Sequence, residues 1–138
     1  MAMNIVPNKV VSGKRKTAIA KATAKPGNGK VMINDKIIEA YPMLQQLELK
    51  ESLIIAEQVL GKLDMDIDVN VKSGGTSSQI EAARLAIARV IVEYTKNDKV
   101  RQAFISYDRS MLVADTRRKE AYKPGDSKAR AKRQTSYR

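Results

Sequence analysis

The stretch MDIDVNVKSGGTSSQIEAARLAIARVIVEY, residues 65–94, sets two hydrophobic periods back to back. In residues 65–72 the apolar Met65, Ile67, Val69 and Val71 alternate with Asp66, Asp68, Asn70 and Lys72, the period of a strand with one buried face. Over residues 79–94 the period lengthens. Ile80, Ala83, Ile87, Ile91 and Tyr94 fall on one stripe of a helix, and Ser78 with Glu81 has capping-box spacing at its start. Residues 73–78 between them are all small and read as a loop. A strand and a helix that each bury one side must pack against a common core, and the remaining segments supply it.

Residues 15–25 alternate again, with Ala18, Ala20, Ala22 and Ala24 on one face and Arg15, Thr17, Ile19, Lys21, Thr23 and Lys25 on the other. Alanine also favours helix, but a helix would scatter these residues, whereas a strand gathers them into a smooth face that accepts a closely packed helix. The segment before them reads as mobile. Pro26-Gly27-Asn28-Gly29 is a turn, residues 30–34 a short strand, and Asn34-Asp35 a tight turn into a strand over 36–39. Leu49, Leu53, Ala56 and Leu60 predict a helix over 49–60, stopped by Gly61. A shorter helix capped by Asn97 carries Val100, Ala103 and Phe104, and residues 111–114 read as a last strand. Strands and helices without strict alternation predict an α+β fold, with helices packed on a mainly antiparallel sheet.

Charge is distributed unevenly over the 138 residues, whose net charge is +11. Residues 1–34 hold seven Lys or Arg and no acid, residues 35–115 hold ten basic against thirteen acidic, and residues 116–138 hold nine basic against two acidic. A slightly acidic body with two basic ends suits a protein anchored on nucleic acid. The last segment, TRRKEAYKPGDSKARAKRQTSYR, has no Val, Ile, Leu, Met or Phe, so it cannot offset its ordering entropy by burial. It is expected to be disordered alone and to order on a polyanion. The division is therefore a globular domain over 1–115 and an extended basic tail over 116–138. The chain has no Cys and no His, which removes disulfides, thiol nucleophiles, thiolate zinc sites and imidazole acid–base chemistry. No metal, cofactor or small-molecule substrate is expected. The opening MAMNIVPNKV lacks a signal peptide's apolar stretch, and no run spans a bilayer, so no membrane is expected and the location is cytoplasmic.

Three places could meet a polyanion. Gly74-Gly75-Thr76-Ser77-Ser78, leading into Gln79, lets a backbone approach phosphate closely at a helix N-terminus. The same residues equally suit a plain strand–helix connection. Lys14-Arg15-Lys16 sets three cations side by side, which an anion or simply solvent can neutralise. Arg84 and Arg89 lie at helical pairing distance from Glu81 and Glu93, so ion pairs serve them as well as phosphate. In the tail, Lys128, Arg130 and Lys132 alternate with Ser127, Ala129 and Ala131, an arrangement that in extended chain puts the cations on one side. Tyr122 and Tyr137 offer faces for base stacking.

Three segments carry a family resemblance. Ser12-Gly13-Lys14-Arg15-Lys16-Thr17-Ala18-Ile19-Ala20, the run Gly74-Gly75-Thr76-Ser77-Ser78-Gln79 to Ala88-Arg89, and the end Lys128-Ala129-Arg130 to Ser136-Tyr137-Arg138 resemble small-subunit ribosomal protein nine, in family order and spacing. The Tyr-Arg ending is similar to the archaeal and eukaryotic branch. Ser73 and Ser78 stand where the family motif usually has glycine, and serine tolerates positive φ less well.

The resemblance implies a fold like the second domain of ribosomal protein five, with a left-handed βαβ crossover, and a place in the head of the small subunit. It implies small-subunit ribosomal RNA, neighbouring head proteins and P-site transfer RNA as partners. On the family's pattern, ribosomal RNA contacts fall to Lys14, Arg15, Lys16, Lys21, Gly74, Gly75, Thr76, Ser77, Gln79, Arg84, Arg89, Arg117, Arg118, Lys119, Lys123, Lys128 and Arg130. Contacts to the transfer RNA anticodon stem-loop fall to Lys132, Arg133, Gln134, Ser136, Tyr137 and Arg138. The implied function is a non-enzymatic structural constituent of the ribosome supporting translation. A small phosphotransferase using the Gly74 loop and a DNA-compacting protein are the competing readings.

Overall fold

The computed structural model describes residues 10–132. Five strands form one sheet in the spatial order β1-β2-β5-β3-β4. In chain order they are β1 (Val10–Arg15), β2 (Ala18–Pro26), β3 (Val31–Ile33), β4 (Lys36–Ile37) and β5 (Met65–Lys72). The pairs β1–β2, β2–β5 and β3–β4 are antiparallel, and β3 runs parallel to β5. Helices α1 (Met43–Leu60), α2 (Thr76–Thr95) and α3 (Asp98–Tyr107) complete the α+β layer.

The small inner face of β2 decides the packing. Ala18, Ala20 and Ala22 are fully buried, and α2 lies across β1 and β2, presenting its own Ala82, Ala83 and Ala86. The approach is so close that a methyl group on Gly13 would stand 2.5 Å from the Ala82 carbonyl oxygen and 2.7 Å from the Ala86 nitrogen. Only glycine fits there. Ile80, Ile87 and Ile91 fill the rest of the core with Met65, Ile67, Val69 and Val71 of β5, as the two periods of residues 65–94 require. Leu49, Ile55 and Ala56 of α1 are buried, and α1 packs on α2 and α3.

Several sequence expectations are corrected. The segment before residue 15 is not all mobile, because Val10–Arg15 forms edge strand β1 and pairs with β2 through a tight turn at Lys16-Thr17. Residues 1–9 lie outside the described residues. Helix α1 starts at Met43, not at residue 49, because Pro42 precedes it and can begin a helix but not continue one. The strand expected over 36–39 ends at Ile37 and passes into a 3-10 turn, Ile38–Ala40. Helix α2 starts at Thr76 with Gly75 as its N-cap and no side-chain cap, so the Ser78–Glu81 capping box does not form. Residues 111–114 are not a strand. A 3-10 turn over Arg109–Met111 is set up instead by Asp108, which accepts from the Ser110 N–H at 2.8 Å.

The other expectations hold where they bear on the site. Asn34 and Asp35 both have positive φ, the two-residue hairpin connection that suits strand twist. The Asn97 side chain caps α3 through the Lys99 N–H at 2.9 Å. Gly61 ends α1 with φ of 78°. No helix among the described residues is long and apolar enough to cross a membrane. Residues 116–132 form neither helix nor strand, and two turns bend them, closed by the Asp126 N–H on the Lys123 carbonyl and the Ala131 N–H on the Lys128 carbonyl.

Candidate nucleic-acid interface

With α2 on one face of the sheet, the outward side chains of β1, β2 and β5 face solvent. Register makes rows of them. Lys14 stands beside Ile19, and Ile19 beside Lys72; in the next row Ser12 stands beside Lys21, and Lys21 beside Asn70. Lys14, Lys21 and Lys72 thus share one end of the open face, and Lys16 sits in the turn that closes it. All four are exposed, and none has an acidic partner among the described residues. Toward the opposite end of the face Lys25 reaches Asp68 at 3.2 Å, so the excess positive charge is confined to one end.

The loop after β5 lies at that same end. Gly74 has φ of 73°, and a methyl on it would stand 2.8 Å from Ala18 Cβ, so its glycine serves the fold. Ser73 is also left-handed, with φ of 65°. The resemblance noted in the sequence leads one to expect glycine here and at Ser78, which lies inside α2. Gln79 closes the loop by donating from Nε2 to the Ser73 carbonyl at 3.1 Å. Gly75 is different. Its φ of −97° suits any residue, and a methyl there would meet nothing within 4 Å. Thr76 and Ser77 follow it, exposed, in the first turn of α2, where helix N–H groups lack a side-chain cap.

Arg15, Arg84 and Arg89 instead have partners within the chain. Arg15 pairs with Glu81 and, at 3.2 Å, with Asp115. Arg84 is held by Glu51 at 2.7 Å and lies 3.8 Å from Asp108, and Arg89 donates to the carbonyls of Leu112 at 2.9 Å and Ser12 at 2.8 Å. These two arginines tie α2 to α1, to β1 and to the segment after α3. The predicted partner of Arg84, Glu81, is engaged by Arg15 instead.

The tail leaves the body through one clamp. Asp115 forms a parallel bridge with Arg15 and accepts from Arg117 Nε at 2.9 Å and Nη2 at 2.7 Å. The Arg117 hydrogen bonds, and then the nearby charge of Arg15, hold the Asp115 carboxyl far below the usual carboxylate range. The tail therefore starts at the Lys14–Lys16 end. Beyond it Lys119 lies 4.5 Å from the centre of the Tyr122 ring, and Arg130 reaches Glu120 at 3.0 Å. Arg118, Lys123, Lys128 and Lys132 are exposed. Arg133, Gln134, Ser136, Tyr137 and Arg138, expected to meet transfer RNA, lie outside the described residues. Lys72 is the cation that sequence reasoning missed; only the β1–β2 and β2–β5 registers put it in one row with Lys14, across Ile19. Among the described residues no cluster of acidic residues could hold a metal ion.

The sequence profile of Ribosomal protein S9/S16 matches residues 13–138. The chain belongs to this family. It is 48% identical over 129 residues to small ribosomal subunit protein uS9 of Methanococcus vannielii, covering 91% of this chain and 95% of that protein. It is 49% identical over 129 residues to the uS9 of a Methanococcus maripaludis strain, with the same coverage. These relatives bear out the archaeal-like resemblance. Family membership makes the chain a ribosomal protein of the small subunit with a structural role in translation, and not an enzyme, which removes the phosphotransferase reading.

Proposed function

We propose that the chain docks on small-subunit ribosomal RNA through the end of the molecule where Lys14, Lys16, Lys21 and Lys72 surround Gly75. The observation that carries this reading is the coincidence of four cations lacking acidic partners among the described residues with a helix N-terminus that has no side-chain cap and whose glycine has open space in front of it. Unpaired lysines on one surface release counterions when they meet phosphates. The hydroxyls of Thr76 and Ser77 and the N–H groups of the first α2 turn donate to a phosphate oxygen there. Arg117, Arg118, Lys119, Lys123, Lys128 and Arg130 extend the contact along the RNA, while Arg15, Gln79, Arg84 and Arg89 hold the surface in shape. A globular body over 1–115 and an RNA-following tail over 116–138 is the corresponding division of labour.

Substituting Gly75 tests the site without disturbing the fold. Val fits its backbone angles, and the Cβ it adds meets nothing within 4 Å. Gly75→Val, which puts a poor N-cap residue at the start of α2, is expected to lower the melting temperature only slightly and to weaken RNA binding about tenfold, the effect of ~1.4 kcal/mol. Unchanged binding would show that no phosphate approaches that backbone.

The same reading gives the last residues to P-site transfer RNA. At about 3.3 Å per residue an extended tail reaches ~70 Å from its root, and Arg138 brings a guanidinium that grips phosphate with paired donors. Deleting Arg138, or Tyr137 with it, is expected to leave subunit assembly nearly intact and weaken retention of initiator transfer RNA on filters. Equal retention by truncated and intact subunits would refute that role.

A further inference from the structure

Helix α1 is apolar on two sides. Its inner side is satisfied by the core through Leu49, Ile55 and Ala56. Its outer side exposes Met43 at 76%, Leu44 at 76%, Leu47 at 55% and Ile54 at 51%. Met43, Leu47 and Ile54 lie on one side of the helix at helical spacing, with the Lys50 side chain, drawn to Glu39, between Leu47 and Ile54. Contiguous apolar surface of this kind marks an interaction site.

The charge beside the stripe says what can cover it. Lys50 is turned to Glu39 at 3.7 Å, and Glu51 to Arg84 at 2.7 Å. Glu48 and Glu57 are exposed and without a cationic partner among the described residues. An apolar stripe flanked by two bare carboxylates repels a phosphate backbone. A second copy docking through the same stripe would set like charges together, which is unfavourable. The chain's own tail is cationic but has no Val, Ile, Leu, Met or Phe to seat on the stripe.

We infer that the outer face of α1 is a protein-docking surface, and that its occupant is a basic segment of another polypeptide of the same subunit, carrying apolar side chains between its Lys and Arg. The apolar side chains cover Leu47 and Ile54, and the cations meet Glu48 and Glu57. The inference rests on the chain's place in the small subunit and is independent of which residues touch RNA.

Photo-crosslinking in purified small subunits tests it. A benzoylphenylalanine is placed at Leu47 in one preparation and at Lys21, on the open sheet face, in another, and adducts are sequenced by mass spectrometry after nuclease treatment. Position 47 is expected to give one peptide adduct, rich in Lys and Arg with apolar residues at the crosslink. The double variant Leu47→Gln with Ile54→Gln is expected to lower that adduct's partner in the subunit about tenfold, as loss of central interface anchors does. Both positions are exposed, so the fold is retained. An RNA adduct, an adduct to a second copy, an acidic peptide or no adduct at position 47 would overturn the inference. RNA at position 21 with none of the expected peptide at 47 sinks only this inference; the expected peptide at 47 with no RNA at 21 sinks only the RNA reading.

Discussion

At the scale of single residues, the loop before α2 contains both a fold requirement and a departure from it. Gly74 is fixed by its positive φ and by Ala18 behind it. Ser73 has nearly the same φ, 65°, with a side chain that disfavours it, since the left-handed region costs an L-residue about 1–2 kcal/mol. Ser73→Gly is therefore expected to raise stability, by ~0.5–1 kcal/mol after glycine's greater loss of freedom on folding is counted. Chemical denaturation of the two proteins measures this, and an unchanged or lower midpoint would mean that the Ser73 side chain makes up the strain. Asp66 is a second fixed residue. Its carboxylate accepts from the N–H groups of Lys30 and Asn28, each at 2.9 Å, and these bonds hold its pKa below the usual value, Lys30 first. The turn at Gly27 wraps this carboxylate so closely that a methyl on Gly27 would lie 2.1 Å from it.

At the scale of elements, the hydrophobic period was legible wherever one face is buried and the other solvated. Strand β5 and the stripe of α2 carry that contrast in every residue. Strand β1 does not, because its inward positions are Val11, Gly13 and Arg15, chosen for closeness to α2 rather than for apolarity. The first turns of α1 were hidden for the opposite reason, since Met43, Leu44 and Leu47 face outward and blur the period. Partners distant in sequence were equally invisible: Glu51 for Arg84, Ser12 for Arg89, and the two pairings that set Lys72 in one row with Lys14 across Ile19. The clamp at Asp115 is another such partner, and it sets the direction in which the tail leaves. Asp115→Ala is expected to keep the sheet intact but release the tail root. The chain has no cysteine, so spin labels at Ser12→Cys and Lys119→Cys report the distance directly, and its distribution should broaden in the variant. Because the Asp115 carboxyl is held below its usual range, the clamp persists as pH falls through that range and opens only below it. Broadening of the unsubstituted protein already at mildly acidic pH would contradict the assignment.

At the scale of the whole molecule, charge and shape divide the surface by partner. The Lys14–Lys72 end, the Gly75 loop and the tail root form one cationic side, whereas α1 presents apolar and acidic groups. In the proposed binding mode RNA is held on the cationic side by phosphate contacts, many of them from the tail. The salt dependence of binding to small-subunit head RNA tests it most directly, with the full chain compared with one ending at Asp115. Each neutralised phosphate contributes roughly 0.7–0.9 to the log–log slope, and residues 116–138 hold nine Lys or Arg. Removing them is expected to flatten the slope by several units on that scale while leaving a residual slope from the sheet end. An unchanged slope would contradict the account, because the tail would then hold no phosphates.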